Sequence, residues 1–370
     1  MAAERRRVLL LVPSFAGGAG GAERVFSILA KHLDSSRFEI HLALAQGRHA
    51  HLTDIPEHVV VHNLHISRMR YALPAIVKIA RRVKPQVILS TVVYLNTMVV
   101  LAKPFFPSNV RVVLREAIMP SAFLAGEARQ PRFWEWVYRR LYGKADKIVC
   151  LSESMSAEFA DRFGVPREKL TCIYNPIDAT AIRLAAGDLT SSYSGEGPHL
   201  VSVGRLQRQK GFDILLKAMP LLRRHVPNAM LTIVGEGPLE QELKAQAQSL
   251  GLGEAVHFSG FQPNPWTFIK HADVFVLPSR FEGMPNTVLE ALALGTQAVA
   301  TDCPGGVREI KAQFPELKLV APEDPAALAD AIVAQYRSGR KGAYIDGPPH
   351  FGKFGLDYVL RSYTEVLEDC

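Results

Sequence analysis

Apolar residues fall along the chain in two alternating patterns. Short unbroken blocks such as Val8-Leu9-Leu10-Leu11-Val12 read as strands buried on both faces, while longer stretches repeat apolar residues at helical spacing. The first block predicts a strand over Val8–Pro13. The loop Gly17-Gly18-Ala19-Gly20-Gly21 follows, and Ala22–Leu33 then places Val25, Ile28, Leu29 and His32 on one helical face. Further strands are expected at Phe38–Ala45, Val59–Asn63, Val87–Ser90, Val110–Leu114 and Lys147–Leu151, with helical patterns between them. The alternation breaks near Tyr174–Asp178, and the Gly- and Ser-rich stretch Gly187–Pro198 reads as a linker. It then restarts: a strand over His199–Gly204, a polar turn over Arg205–Gly211 and a helix over Phe212–Leu222. Strands at Met230–Val234, Val256–Ser259, Val274–Pro278 and Ala298–Thr301 alternate with helices at Leu239–Leu250, Thr287–Leu294 and Ala326–Tyr336.

Strands that alternate with helices predict parallel sheets covered on both faces. The expected fold class is therefore α/β, with two doubly wound, Rossmann-like domains in tandem across a central cleft. The expected boundaries are residues 1–178 and 179–350, with a C-terminal helix over 351–370 packing back on the first domain. Ligands in such folds sit beyond the carboxyl ends of the strands, so the Gly17–Gly21 and Arg205–Gly211 loops, each after a first strand, become candidate binding loops.

Composition narrows the classes. With 48% hydrophobic and 21% charged residues among 370, the chain is an ordinary globular one, and no apolar run approaches the ~18 residues of a membrane-spanning helix. Pro13 and the Gly-rich turn end the first apolar block too early for a signal sequence, so a buried strand is expected there. The four cysteines are widely spaced, with no Cys-x-x-Cys pair, which fits a reducing cytosol. The net charge of +7 is uneven: residues 1–178 hold 25 Lys and Arg against 15 Asp and Glu, leaving 18 against 21 in the remainder. The first half is thus expected to meet something anionic: a phosphorylated substrate, a membrane surface or nucleic acid. The isoelectric point of about 9.2 raises the nucleic-acid reading, but no recognisable nucleic-acid module appears and the basic residues avoid the second half. No nucleic-acid partner is expected.

The most informative segment runs from Ser279 to Ala291. Gly283 and Pro285 make a turn after a buried strand, and Asn286 or Thr287 starts a helix whose free N–H groups suit a phosphate. Glu282 lies on the loop and Glu290 one turn into the helix. A carboxylate can accept two hydrogen bonds from a vicinal diol, so sugar hydroxyls are natural partners; a solvated loop Glu and a helix-dipole Glu are the plain alternative. Arg205 and Lys210 flank a strand-to-helix turn, where two cations suit a diphosphate or simply a solvated basic turn. Neither a P-loop nor a Gly-x-Gly-x-x-Gly fingerprint is present.

Glu282 and Glu290, with seven residues between them, sit in a segment that resembles the E-x7-E signature of family 4 retaining glycosyltransferases. Gly204-Arg205 with Lys210-Gly211 is similar to that family's phosphate-binding loop, Gly17–Glu23 to its N-terminal Gly loop and Asn175-Pro176-Ile177-Asp178 to its interdomain segment. Thr301–Glu309 resembles the form found in bacterial transferases of polyprenyl-linked and surface glycans. The resemblance spans nearly the whole chain. It implies a GT-B fold, a UDP-sugar donor, an N-acetylhexosamine, held by the C-terminal domain, and an acceptor on the N-terminal one. It implies that Arg205 and Lys210 stabilise the departing diphosphate, that Glu282 touches the donor sugar, and that Glu290 touches the ribose. It places Gly18, Gly20, Gly21, Gly204, Phe261, Gly283, Met284, Asn286 and Thr287 around the nucleotide. No Asp-x-Asp occurs and no metal or other cofactor is expected. The 12 His residues carry no motif, and those from His41 to His65 have no metal-ligand spacing. Where many members carry a His-containing pair, this chain reads Arg115-Glu116, expected on the acceptor side.

The implied acceptor is a polyprenyl-diphosphate-linked saccharide of bacterial glycan assembly; a soluble acceptor or a nucleotide-sugar 2-epimerase are the alternatives. Lys78, Arg81 and Arg82 lie on a helix whose apolar stripe is expected to be Leu73, Ile76, Val77 and Ala80. They are candidates to grip the lipid diphosphate. Cations and aromatics mix again from Arg129 to Tyr142. Both clusters suit peripheral contact with an anionic membrane at the inner face of the cell membrane, although solvated helices with buried aromatics would read the same way.

Overall fold

The computed structural model describes residues 5–13, 21–46, 55–66, 68, 71–126, 128–187, 197–339 and 351–369. The chain divides into two units, residues 1–176 with 353–370, and residues 177–352.

Seven strands form the sheet of unit 1: β1 (Arg6–Val12), β2 (Phe38–Leu44), β3 (Val60–Asn63), β4 (Val87–Thr91), β5 (Arg111–Arg115), β6 (Lys147–Cys150) and β7 (Leu170–Cys172). Their order is β3-β2-β1-β4-β5-β6-β7, and every pair is parallel. Val8 to Val12 are fully buried, as expected of a strand with both faces covered. Alternate residues Val8, Leu10 and Val12 join Ile40, Leu42 and Leu44 in one core with Val25, Phe26 and Leu29 of α1 (Gly21–His32). The other face carries α2 (Ala72–Val83) beside α3 (Val93–Ala102). The buried stripe of α2 is Ala72, Ile76, Ile79, Ala80 and Val83, with Leu73 and Val77 only half-buried, so the helix is rotated slightly from the expected stripe. It ends at Lys84, whose left-handed φ of 50° precedes Pro85, which cannot continue a helix. Next come α4 (Pro120–Gly126), α5 (Pro131–Leu141) and α6 (Glu153–Asp161), the last capped by Ser152, which accepts from the Met155 amide at 3.1 Å.

Unit 2 opens with α7 (Ala179–Ala186), capped by Asp178 through the Ala181 amide at 2.9 Å. Its six strands are β8 (His199–Val203), β9 (Met230–Val234), β10 (Val256–Gly260), β11 (Val274–Leu277), β12 (Gln297–Thr301) and β13 (Lys318–Val320). Their order is β10-β9-β8-β11-β12-β13, again all parallel, the doubly wound order in which the winding reverses between the first and fourth strands. The helices are α8 (Phe212–His225), α9 (Glu240–Ser249), α10 (Trp266–His271), α11 (Asn286–Ala293), α12 (Val307–Gln313) and α13 (Pro325–Arg337). The last helix, α14 (Leu356–Asp369), belongs to unit 1, where Val359, Tyr363, Val366 and Leu367 enter the same core as α1. No described helix is long and apolar enough to cross a membrane.

Candidate active site

In unit 2 the winding reverses between β8 and β11, and the two loops leaving those strands meet there. The loop after β8 runs from Gly204 through a 3-10 turn at Arg208–Lys210 to Gly211, whose φ is +65°. A side chain at Gly211 would collide with the carbonyl of Pro278, so only glycine lets this loop lie against the end of β11. The Arg280 amide then donates to the Gln209 carbonyl at 2.8 Å, and Gln209 Nε2 donates to the Phe281 carbonyl at 3.0 Å.

This docking brings Lys210 Nζ to 2.7 Å from Glu282 Oε1. The same oxygen accepts from Ser279 Oγ at 2.6 Å. Glu282 is 4% exposed, so an unpaired charge there would be costly; the ammonium and the hydroxyl compensate it. The loop after β12 holds the Glu282 backbone from a third side. The Glu282 amide donates to the Pro304 carbonyl at 2.9 Å, and the Gly306 amide to the Gly283 carbonyl at 2.8 Å. A Cβ at Gly305 would strike the Glu282 carbonyl, and one at Gly306 the end of Met284. Cys303, buried beside this carboxylate, is pushed up to about 12, mainly by burial and then by Glu282, and stays a thiol. Arg280, next to the loop, makes a bidentate pair with Asp213 at 2.8 Å for both bonds and also binds Glu323. That pairing overcomes the effect of burial and holds the Asp213 carboxyl below its ordinary value.

The other donor residues expected in unit 2 lie on loops that follow strands of the same sheet or on α11. Gly204 follows β8, and Arg205 beside it is exposed. Phe261 follows β10 and is 40% exposed. Gly283 and Met284 are buried beneath the β12 loop, while Asn286 and Thr287 open α11 half-buried. Glu290 is 3% exposed, in the second turn of α11. Gly21 is the first residue of α1 and is exposed, whereas Gly18 and Gly20 lie outside the described residues. Three features escaped sequence reasoning. Ser279 lacks a motif of its own. The Gly235-Glu236-Gly237-Pro238 turn after β9 packs under Gly204–Leu206, with the Leu206 amide donating to the Glu236 carbonyl at 2.9 Å. Side chains at Gly235 and Gly237 would hit the carbonyls of Gly204 and Leu206, and that glycine spacing was the readable signal. The third feature is Val92 in unit 1, a β-branched residue at φ +71° where β4 meets α3, a strained conformation of the kind concentrated at functional sites.

In unit 1, Arg115 ends β5 and Glu116 follows it; both are closed off from solvent, at 0% and 2% exposure. Arg115 donates to Thr91 Oγ1 at 3.2 Å and to Asn175 Oδ1, so the Asn175-Pro176 segment anchors this guanidinium. Glu116 accepts from the Tyr142 hydroxyl at 2.6 Å. Burial pushes the Glu116 carboxyl up to about 7, against the pull of Tyr142, the Ala117 amide and Arg115. Both side chains are buried in this conformation. Lys78, Arg81 and Arg82 are exposed on α2, but Arg81 and Arg82 occupy its last turn, at the amino end of the sheet. There Arg7 Nη1 donates to the Val83 carbonyl at 3.0 Å. The whole helix is twelve residues, roughly 18 Å, and that turn is at the end away from where β3 leaves the sheet. The structure therefore does not bring these arginines together with Arg115 and Glu116. Among the described residues no group of three or more His, Cys, Asp or Glu could hold a metal ion.

Residues 19–181 match the family model described as Glycosyltransferase Family 4, and residues 192–340 match Glycosyl transferases group 1. A Campylobacter jejuni protein, N-acetylgalactosamine-N,N'-diacetylbacillosaminyl-diphospho-undecaprenol 4-alpha-N-acetylgalactosaminyltransferase, is 30% identical over 303 residues, covering 79% of this chain and 80% of the relative. The chain belongs to the family 4 glycosyltransferases. Solved structures agree on the GT-B fold. The Anabaena Alr3699/HepE complex with UDP-glucose superposes with a TM-score of 0.77 at 20% identity, over 98% of this chain and 100% of that one. The sucrose-phosphate synthase of Thermosynechococcus elongatus does so with a TM-score of 0.78 at 18% identity, over 98% and 99%. In this glycosyltransferase the Lys210–Glu282 pair therefore stands at the switch point of the second sheet, where open α/β sheets bind ligands.

Proposed function

We propose that this glycosyltransferase moves an N-acetylhexosamine from a UDP-linked donor, with retention of anomeric configuration, to a polyprenyl-diphosphate-linked saccharide. The observation that carries the donor half is Lys210, fixed by a buried carboxylate at the switch point of unit 2. When the sugar–phosphate bond breaks, negative charge grows on the leaving diphosphate, and a cation already held in place stabilises it without reorganising. Arg205, exposed on the same loop, adds a fork of donors, and the start of α11 adds backbone N–H groups. Glu282, whose Oε1 holds Lys210 and Ser279, offers its other carboxylate oxygen to a donor-sugar hydroxyl. Glu290 is assigned to the ribose, which requires its side chain to emerge on nucleotide binding. No metal is given a role.

The acceptor half is supported by the lipid-linked substrate in the name of the Campylobacter relative. We assign the lipid diphosphate to the exposed cations Lys78, Arg81 and Arg82 on α2. Their distance from the carboxyl edge suits an acceptor whose sugars lie between the diphosphate and the growing end. Exposed Phe133 and Trp136, with Arg132, Arg139 and Arg140 on α5, form the mixed aromatic and basic surface that interfaces favour, and this supports peripheral membrane contact. The test is a panel of nucleotide sugars assayed against a prenyl-diphosphate-linked glycan and the same glycan free. Selective transfer from UDP-N-acetylhexosamine to the diphosphate form, with retained configuration by NMR, is expected. Equal use of the free glycan, or preference for another nucleotide, would overturn the reading.

A further inference from the structure

At the amino end of its sheet, unit 1 holds a concavity of about 560 Å3. Arg5, Arg7, Glu39, His41, His62 and Arg82 supply its polar lining. The topology creates it. From the edge strand β3 the chain crosses through α2 to β4, on the far side of β1, leaving the same face of β2 and β3 open beside the helix. The register sets Arg7 opposite Glu39, His41 opposite Val60 and Ala43 opposite His62, so these side chains share that face. A parallel strand is usually apolar on both faces. Here Ile40 and Leu42 face the core under α1, while Glu39 and His41 face the concavity.

The polar groups are ordered. His41 Nε2 lies 3.0 Å from Glu39 Oε1, and His41 Nδ1 lies 2.9 Å from His62 Nε2. With Glu39 accepting from Nε2–H, a neutral His41 must accept from His62 Nε2–H, so the carboxylate fixes both tautomers. A proton arriving at His62 Nδ1 breaks neither bond. Arg7 is held by the Val83 carbonyl at 3.0 Å, and Arg82 is exposed at the mouth. The single lining carboxylate is engaged with His41, against three guanidiniums.

We propose that this concavity is a phosphate-group site, with Arg5, Arg7 and Arg82 as its donors and the Glu39–His41–His62 chain as its floor. Guanidinium forks suit phosphoryl oxygens in number and geometry. His62 is held below its ordinary value, first by burial and then by His41 and Arg82. A dianion seated among the arginines offsets that repulsion and favours the imidazolium. Binding therefore favours uptake of a proton at His62. The groups facing His62 are Arg5 and Arg7 from β1, Glu39 and His41 from β2, and Arg82 from α2. The site uses none of the donor residues Arg205, Lys210 or Glu282, so it is independent of the donor half of the proposed reaction; it shares Arg82 with the α2 cations assigned to the acceptor diphosphate and rests on that assignment there.

Inorganic pyrophosphate is the probe. The full chain is titrated while the ring resonances of His41 and His62 are followed by NMR, with His62→Gln giving the assignment. The expected result is a saturable shift at both rings, and an affinity that gains more between pH 8 and pH 6 in the wild type than in His62→Gln, the comparison cancelling the protonation of pyrophosphate itself. In Arg82→Gln, an exposed substitution that spares the fold, the affinity falls about ten-fold or more. Lys210→Ala leaves the shift unchanged. Glycerol 3-phosphate and vesicles containing phosphatidic acid, added as competitors, separate a soluble source of the phosphate group from a lipid headgroup. Absence of a saturable shift at millimolar pyrophosphate, or a shift lost in Lys210→Ala and kept in Arg82→Gln, overturns the proposal.

Discussion

Two carboxylates in this protein show how environment decides what one side chain can do. Glu282 and Glu116 are both buried, but Glu282 has an ammonium at 2.7 Å and a hydroxyl at 2.6 Å, whereas Glu116 has a phenol and a weak amide bond. Glu116 is consequently held at about 7 in the folded protein, above the ordinary value of 4.5. Between those values the native state binds more protons than the unfolded state, so stability falls as pH rises and the cost is complete above the folded pKa. That cost is on the order of 3 kcal/mol. Glu116→Gln removes it. The melting temperature of the variant relative to wild type should therefore climb by roughly 5–10 °C from pH 4.5 to pH 8. A pH-independent difference would show that Glu116 titrates normally. At Glu282 the sign of the expectation is different. Glu282→Gln keeps the shape but loosens Lys210, and kcat should fall about 10-fold to 100-fold with little change in nucleotide affinity measured by calorimetry.

At the scale of elements, the long strands and their following helices were legible because unbroken apolar blocks and helical spacing are strong signals. β9 runs over Met230–Val234 as expected, and β8, β11 and β12 fall within a residue of their expected ends. β7 and β13, three residues each, were not legible, since so short a run carries no periodicity. Nor was α7, which lies in the stretch where the pattern seemed to stop; its signal was Asp178 as a cap. For the site, Gly204, Lys210, Glu282 and Glu290 stood out in the sequence, but their contacts did not. The pairing of Lys210 with Glu282 spans 72 positions and depends on Gly211 lying against Pro278, which only the fold reveals. Gly211→Ala tests that dependence. Its Cβ has no room and its φ of +65° is unfavourable, so unfolding in urea should show a loss of at least about 2 kcal/mol. Gly164→Ala, at φ +71° with open space around it, should cost only about 1–2 kcal/mol.

For the molecule as a whole, the chain is not a simple head-to-tail pair. Its final helix returns to unit 1, where Val359, Tyr363, Val366 and Leu367 are buried against the β1 core. Fully burying each such side chain stabilises by about 1.5–3 kcal/mol, so the four together approach the 5–15 kcal/mol of a whole domain. A chain ending at residue 352 should lose the cooperative unfolding of unit 1 in calorimetry; retention of two wild-type transitions would contradict this role for α14. The central claim is that Lys210, oriented by Glu282, stabilises the leaving diphosphate of a nucleotide sugar. Its most direct test is the single-turnover rate of sugar transfer by Lys210→Ala at saturating UDP-N-acetylhexosamine, with the fold verified by circular dichroism. The account predicts a rate at least about 100-fold below wild type; a folded variant that transfers sugar within about three-fold of the wild-type rate would contradict it.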